Sequence, residues 1–122
     1  MPRERDERQV PALLWNMLDA ALAVQGFVQG RTRADYASDR MLRSAVERCV
    51  EIIGEAAGGV PAAFRELHPE VPWRRIVAQR NALVHAYGAV DDNLMWRLAT
   101  VSIPQLIALL QPLLPQRPDE LA

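Results

Sequence analysis

Apolar residues recur at helical spacing along nearly all of this chain. Val10, Leu13, Leu14, Met17, Leu18, Ala21, Val24 and Val28 follow i, i+3, i+4 spacing. They predict a first helix from Arg8 to Gln29, ended by Gly30, with Pro11 tolerated in its first turn. Arg31 to Tyr36 reads as a polar loop. A second stripe, Leu42, Ala45, Val46, Cys49, Val50, Ile53 and Ala56, predicts a helix capped by Asp35 or Ser38 and stopped at Gly58-Gly59. Glu47, Glu51 and Glu55 lie on another face of it, solvated or paired with an arginine across an interface. Pro61 to Leu67 predicts a short helix, and His68-Pro69-Glu70-Val71-Pro72 a rigid connection. A fourth helix is expected from Trp73 to Tyr87, ending at Gly88. Asp91 or Asp92 then caps a last helix bearing Leu94, Leu98, Val101, Gln105 and Ala108/Leu109, kinked at Pro104. The proline-rich tail, Pro112 to Ala122, reads as frayed. Strand alternation, internal repeats and a Gly-rich phosphate loop are absent from the sequence. The expectation is an all-α fold, an up-and-down helical bundle of four longer helices plus one short helix.

With 122 residues, half of them hydrophobic, the chain suits one domain over 1–122 with its core over about 9–114 and flexible termini. The formal net charge is −1, so any nucleic-acid contact must come from a local cluster. All 14 basic residues are arginines, which excludes Schiff-base and P-loop lysine chemistry. The lone Cys49 can form no internal disulfide and reads as a buried structural thiol. No uninterrupted apolar run approaches the ~20 residues of a membrane span, and the charged start, Met1 to Arg8, leads into no signal-like block. The expectation is a cytoplasmic protein without membrane contact.

Candidate chemistry is concentrated in Arg80-Asn81-Ala82-Leu83-Val84-His85-Ala86-Tyr87. Arg80 is a permanent cation with a planar fork for phosphate, placed within the apolar stripe of Trp73, Ile76, Val77, Leu83 and Val84. A charge there needs a partner or a cleft. His85 can exchange protons near neutral pH, and Asn81 lies one turn before it, able to orient it. Tyr87 adds a hydroxyl. Arg80 and His85 stand about 140° apart around an ideal helix. The arginine can wrap round, the helix can loosen before Gly88, or a second copy of the helix can complete the site in a two-fold dimer. Each residue alone also has a plain role: Arg80 and Asn81 as salt bridge and cap, His85 as a helix C-cap, Tyr87 as an aromatic anchor. His68, between helices, reads as structural or surface, and with His85 lacks the companions of a metal site.

Several blocks in order carry a resemblance: Gly54-Glu55-Ala56-Ala57, Phe64-Arg65-Glu66-Leu67-His68-Pro69-Glu70-Val71-Pro72-Trp73, Arg80 to Tyr87 as above, and Val90-Asp91. Together, over about Leu13 to Leu114, they resemble HEPN-domain ribonucleases, and more closely the HepT toxins. The resemblance implies an HEPN-like helical domain that dimerises with its two motifs facing one cleft. It implies a metal-independent endoribonuclease without cofactor, acting on RNA such as transfer RNA or mRNA. It also implies the toxin half of a type VII toxin–antitoxin pair, neutralised by an MntA-like nucleotidyltransferase antitoxin that adenylylates the motif tyrosine. Carried over, Arg80 and His85 are catalytic, Asn81 is supporting, and Tyr87 is the AMPylation site. Gly88, after the tyrosine, and Gln79, before the arginine, depart from the family pattern and leave the local helix geometry open.

The mechanism implied is internal transesterification of RNA, with proton transfer by His85 and charge stabilisation by Arg80. An alternative is a non-catalytic dimeric module that binds a nucleotidyltransferase partner, with Arg80 and His85 holding the interface. A third is a purely structural helical dimer.

Overall fold

The computed structural model describes residues 7–85, 90–115 and 117. These residues form helices and connections without a strand. Helix α1, Val10–Val28, follows a tight turn at Glu7–Gln9 and has proline in its first turn. Gly30, at φ 74°, takes the left-handed conformation that turns the chain away from α1.

The segment expected as a polar loop contains a helix, α2, Arg33–Ser38. Thr32 starts it through a reciprocal capping box with Asp35. Asp39, rather than Asp35 or Ser38, caps α3, Arg40–Gly59, by accepting from the Leu42 amide at 3.0 Å. The two caps, four and eleven residues beyond the apolar stripe of α1, are local side-chain chemistry that periodicity does not register. Gly58 and Gly59 are helical and buried within the last turn of α3, and the extended Val60 ends it. The Arg65 guanidinium donates to the carbonyls of Ala57 and Gly58 at 2.8 and 3.0 Å, a cation at the negative end of the helix. Arg65 belongs to the short helix α4, Ala62–Leu67.

Helix α5 spans Trp73–Val84, ending three residues before the expected limit at Tyr87. Tyr87 and Gly88 lie outside the described residues. Asp91 caps the final helical run by accepting from the amides of Asn93 and Leu94. That run comprises α6 (Asp92–Arg97), a wider π-helical segment (Leu98–Ser102) and α7 (Ile103–Leu110). The expected kink at Pro104 takes this form. Pro104 has no N–H to donate and its ring crowds the preceding turn, so the helix widens just before it. The Ile103 amide reaches back five residues, to the carbonyl of Leu98.

Helix α3 packs between α1 and α5, and α7 packs against α1. Leu14, Met17, Ala21 and Val24 of α1 meet Val46, Val50 and Ile53 of α3 and Leu106 and Leu110 of α7 in one continuous core. The architecture is an all-α up-and-down bundle in which α1, α3, α5 and the α6–α7 run are the longer members. Two segments, Glu7–Val28 and Asp92–Leu113, are long and apolar enough by composition to cross a membrane, contrary to the expectation from uninterrupted runs. Here they lie against each other and contribute to the core.

Part of the tail expected to fray is fastened. The Trp15 indole N–H donates to the Pro115 carbonyl at 3.1 Å, and the Arg117 guanidinium stacks over the Trp15 ring at 3.9 Å. Arg117 also grips Asp19 with two bonds, of 2.9 and 3.2 Å.

Tyr36 is fully buried, tilted against Trp96 with ring centroids 5.7 Å apart. Its hydroxyl has no hydrogen-bond partner among the described residues. Burial, reinforced by the charges of Glu47 and Asp92, pushes its pKa up to about 12. A buried unpaired hydroxyl costs about 1–3 kcal/mol. Tyr36→Phe keeps the ring and removes that cost, so its urea-unfolding midpoint is expected to equal or exceed the parent's. A lower midpoint would show that the hydroxyl has a partner in solution.

Candidate active site

The position of α5 is fixed at its start by an aromatic corner. The Trp73 indole N–H donates to the His68 carbonyl at 3.0 Å, and the Phe64 ring lies 4.6 Å from the His68 ring and 6.2 Å from that of Trp73. His68 Nδ1 meets Glu70 Oε2 at 3.3 Å. His68 thus serves the corner, as its place between two helices suggested. Trp73 and Ile76 are buried and turn one face of α5 to α3.

Arg80 follows Ile76 by one turn and lies on that same packed face. Its stem runs across Gly54 of α3. A Cβ on Gly54 would overlap the Arg80 Cβ and come within 2.6 Å of its Cγ. Only glycine leaves room for the two helices to meet at this point with an arginine between them. The sequence reading placed Gly54 in a family block without giving it this contact. The available signal was an isolated glycine inside a strong helical stripe, which usually has a packing reason.

The Arg80 guanidinium has no carboxylate partner among the described residues. Its Nη1 donates to Asn81 Oδ1 at 3.2 Å, and its buried Nε–H finds no acceptor among the described residues. The fork is therefore held at one corner, with bonding capacity left over.

His85 caps the C-terminus of α5 and is exposed. Its Nδ1 lies 2.9 Å from the Asn81 carbonyl oxygen. A carbonyl can only accept, so Nδ1 carries the proton. The neutral ring is thereby held in the tautomer that leaves Nε2 as a free lone pair. Asn81 does orient His85, through its backbone carbonyl, while its side chain holds Arg80. One residue ties both groups down by different atoms.

Among the acidic side chains of α3, Glu51 pairs within the helix with Arg48 at 3.2 Å and does not reach Arg80. Glu47 is half-buried, and desolvation and the nearby Asp92 raise its pKa. Cys49 is half-buried rather than enclosed, and burial raises its thiol pKa, which keeps it protonated and unreactive. Among the described residues no cluster of three His, Cys, Asp or Glu side chains could hold a metal ion.

The chain matches a family model described as ribonuclease HepT-like over residues 17–113, a span that includes α5 and the π-helical segment. A Methanocaldococcus jannaschii protein named as a candidate RNase is 36% identical over 100 residues, covering 82% of this chain and 92% of that protein. A Thermococcus cleftensis protein named as a candidate ribonuclease HepT is 37% identical over 93 residues, covering 76% and 84% respectively. No solved structure matches significantly. On the family match and these two identities, this all-helical chain belongs to the ribonuclease HepT-like family.

Proposed function

We propose that the protein is a metal-independent endoribonuclease and the toxin component of a toxin–antitoxin pair. The observation that carries this reading is the double grip of Asn81, on an arginine without a counter-ion among the described residues and on a histidine of defined tautomer. Relatives named as ribonucleases over most of their length support it.

In the proposed reaction His85 Nε2 takes the proton of a ribose 2′-OH. The 2′-oxygen attacks the adjacent phosphorus, and the bond from phosphorus to the 5′-oxygen breaks. The leaving oxygen takes a proton from a protonated imidazole. A 2′,3′-cyclic phosphate and a 5′-OH result. Arg80 stabilises the extra negative charge on the pentacoordinate phosphorus with the guanidinium donors left over from its bond to Asn81. The angular separation of about 140° between Arg80 and His85 is overcome in a homodimer, where α5 of a second copy faces the first across a two-fold axis. The two imidazoles then divide the base and acid roles. Asn81 supports both groups.

Transfer RNA or mRNA is the proposed substrate class, in the cytoplasm. The proposed antitoxin is an MntA-like nucleotidyltransferase that transfers AMP to Tyr87. An added nucleotide would bring bulk and negative charge beside an anion-binding site and repel the RNA backbone. The net charge of −1 favours a second reading, a dimeric module that binds the nucleotidyltransferase without cutting RNA. Such a module would not arrest growth when expressed alone, whereas a ribonuclease toxin should.

The test is incubation of the purified protein with total transfer RNA in EDTA. Products ending in 2′,3′-cyclic phosphate are expected from the parent, with His85→Ala slower by about 10²–10⁴-fold. A requirement for Mg²⁺, or full activity in His85→Ala, would overturn the mechanism.

A further inference from the structure

Helical geometry places Arg74, Ala78, Asn81 and His85 along one face of α5, within about 60° of one another. Arg74, Ala78 and His85 are exposed and Asn81 is half-buried. Arg74 has no ion pair among the described residues. It also sits in the first turn of its helix, where the dipole disfavours a cation and where no acidic residue offsets it. The helix gains nothing from an arginine there, and the charge faces outward on the line that leads to His85. Eleven residues separate the two, about 16 Å along the axis. The small Ala78 between them leaves the face low enough for a strand to lie along it.

Arg75 provides the contrast. It is exposed and basic like its neighbour, but it turns about 100° away from Arg74. It lines a cleft with Ile76 and Gln79 against Leu98, Ser102 and Leu106 of the last helical run. Charge alone would make the two arginines equivalent, and the face of the helix separates them.

We propose that Arg74 is a positioning residue for the RNA strand, binding a phosphate a few nucleotides along from the one that is cleaved. This rests on the ribonuclease reading. The strand runs along α5, with the reacting phosphate at Arg80 and His85 and a phosphate further along the strand held by the Arg74 fork. Arg74 touches no reacting atom and acts by setting the register of the strand over His85.

The experiment compares Arg74→Ala, Arg74→Lys and Arg75→Ala with the parent. It reads cleavage of transfer RNA, and binding of a single-stranded 2′-O-methyl RNA oligonucleotide, which lacks the free 2′-OH and cannot be cut. Arg74→Ala is expected to raise KM about tenfold with kcat unchanged, and to lower the salt slope of binding by about one. Arg74→Lys should recover most of the binding, and Arg75→Ala should match the parent in both readouts. Equal effects of Arg74→Ala and Arg75→Ala, or a loss in kcat alone, would overturn the assignment. If the parent binds the oligonucleotide through Arg74 but cuts no RNA, the positioning role stands and the cleavage reading falls. If it neither binds nor cuts, both fall.

Discussion

Arg80→Ala is expected to lower RNA cleavage by about 10²–10³-fold while the folded chain loses less than about 1 kcal/mol of stability. The two effects separate because of what Arg80 touches. Its Nε–H is buried without an acceptor, and its guanidinium forms no ion pair among the described residues. Removing a donor that is already unsatisfied relieves about 1–3 kcal/mol of desolvation cost. Truncating the stem over Gly54 loses about 0.8 kcal/mol for each methylene taken out of contact. These terms oppose one another and are similar in size. Catalysis has no such compensation, since no other described cation is shown on this packed face of α5. Arg80→Lys keeps the stem and the charge but loses the planar fork, and it is expected to remain impaired. Cleavage kinetics and urea unfolding on the same preparations provide the measurement. A parallel loss of stability and activity would favour the structural-dimer reading, in which Arg80 serves only to hold the helices.

Gly54→Ala should impair both folding and cleavage. Ordinarily alanine in place of a mid-helix glycine gains about 1 kcal/mol. Here the new methyl would collide with the Arg80 Cβ and lie 3.3 Å from the Ile76 carbonyl oxygen. Neither is the far end of a flexible chain, so α5 has to move off α3. Overpacking of this kind costs about 1–3 kcal/mol, which outweighs the propensity gain. The displacement carries Arg80, Asn81 and His85 with it, because all three ride on α5. A shift of about 1 Å at a reacting centre can cost 10²-fold in rate. Thermal unfolding with cleavage kinetics tests this. A Gly54→Ala protein more stable than the parent and fully active would show that α3 and α5 do not meet as closely as described.

Much of the fold was legible from periodicity. The stripes of α1, α3 and α5 follow the helical repeat, and burying each against its neighbours leaves few arrangements other than a bundle. Pro61, Pro72 and Asp91 marked boundaries near where they fall. Periodicity missed α2, because its six residues expose all but Tyr36 and leave no stripe to read. The limits of the last helix were also visible, but not the wider turns before Pro104, since they answer to a missing N–H rather than to an apolar pattern. The fastened tail joins residues about a hundred positions apart, and local sequence carries no sign of such a contact.

The sequence by itself determined which residues carry the candidate chemistry, because Arg80, Asn81 and His85 stand within six consecutive positions and their types define what they can do. Their states were decided by the tertiary structure. The Asn81 carbonyl accepts from both the backbone N–H and the ring Nδ1–H of His85, because α5 stops at Val84 and His85 folds back over its last turn as the C-cap. Arg80 can lie on a packed face because a glycine on another helix, 26 positions earlier in the chain, leaves the space for it. Side-chain type is written residue by residue, whereas protonation, orientation and room depend on atoms that only folding brings near.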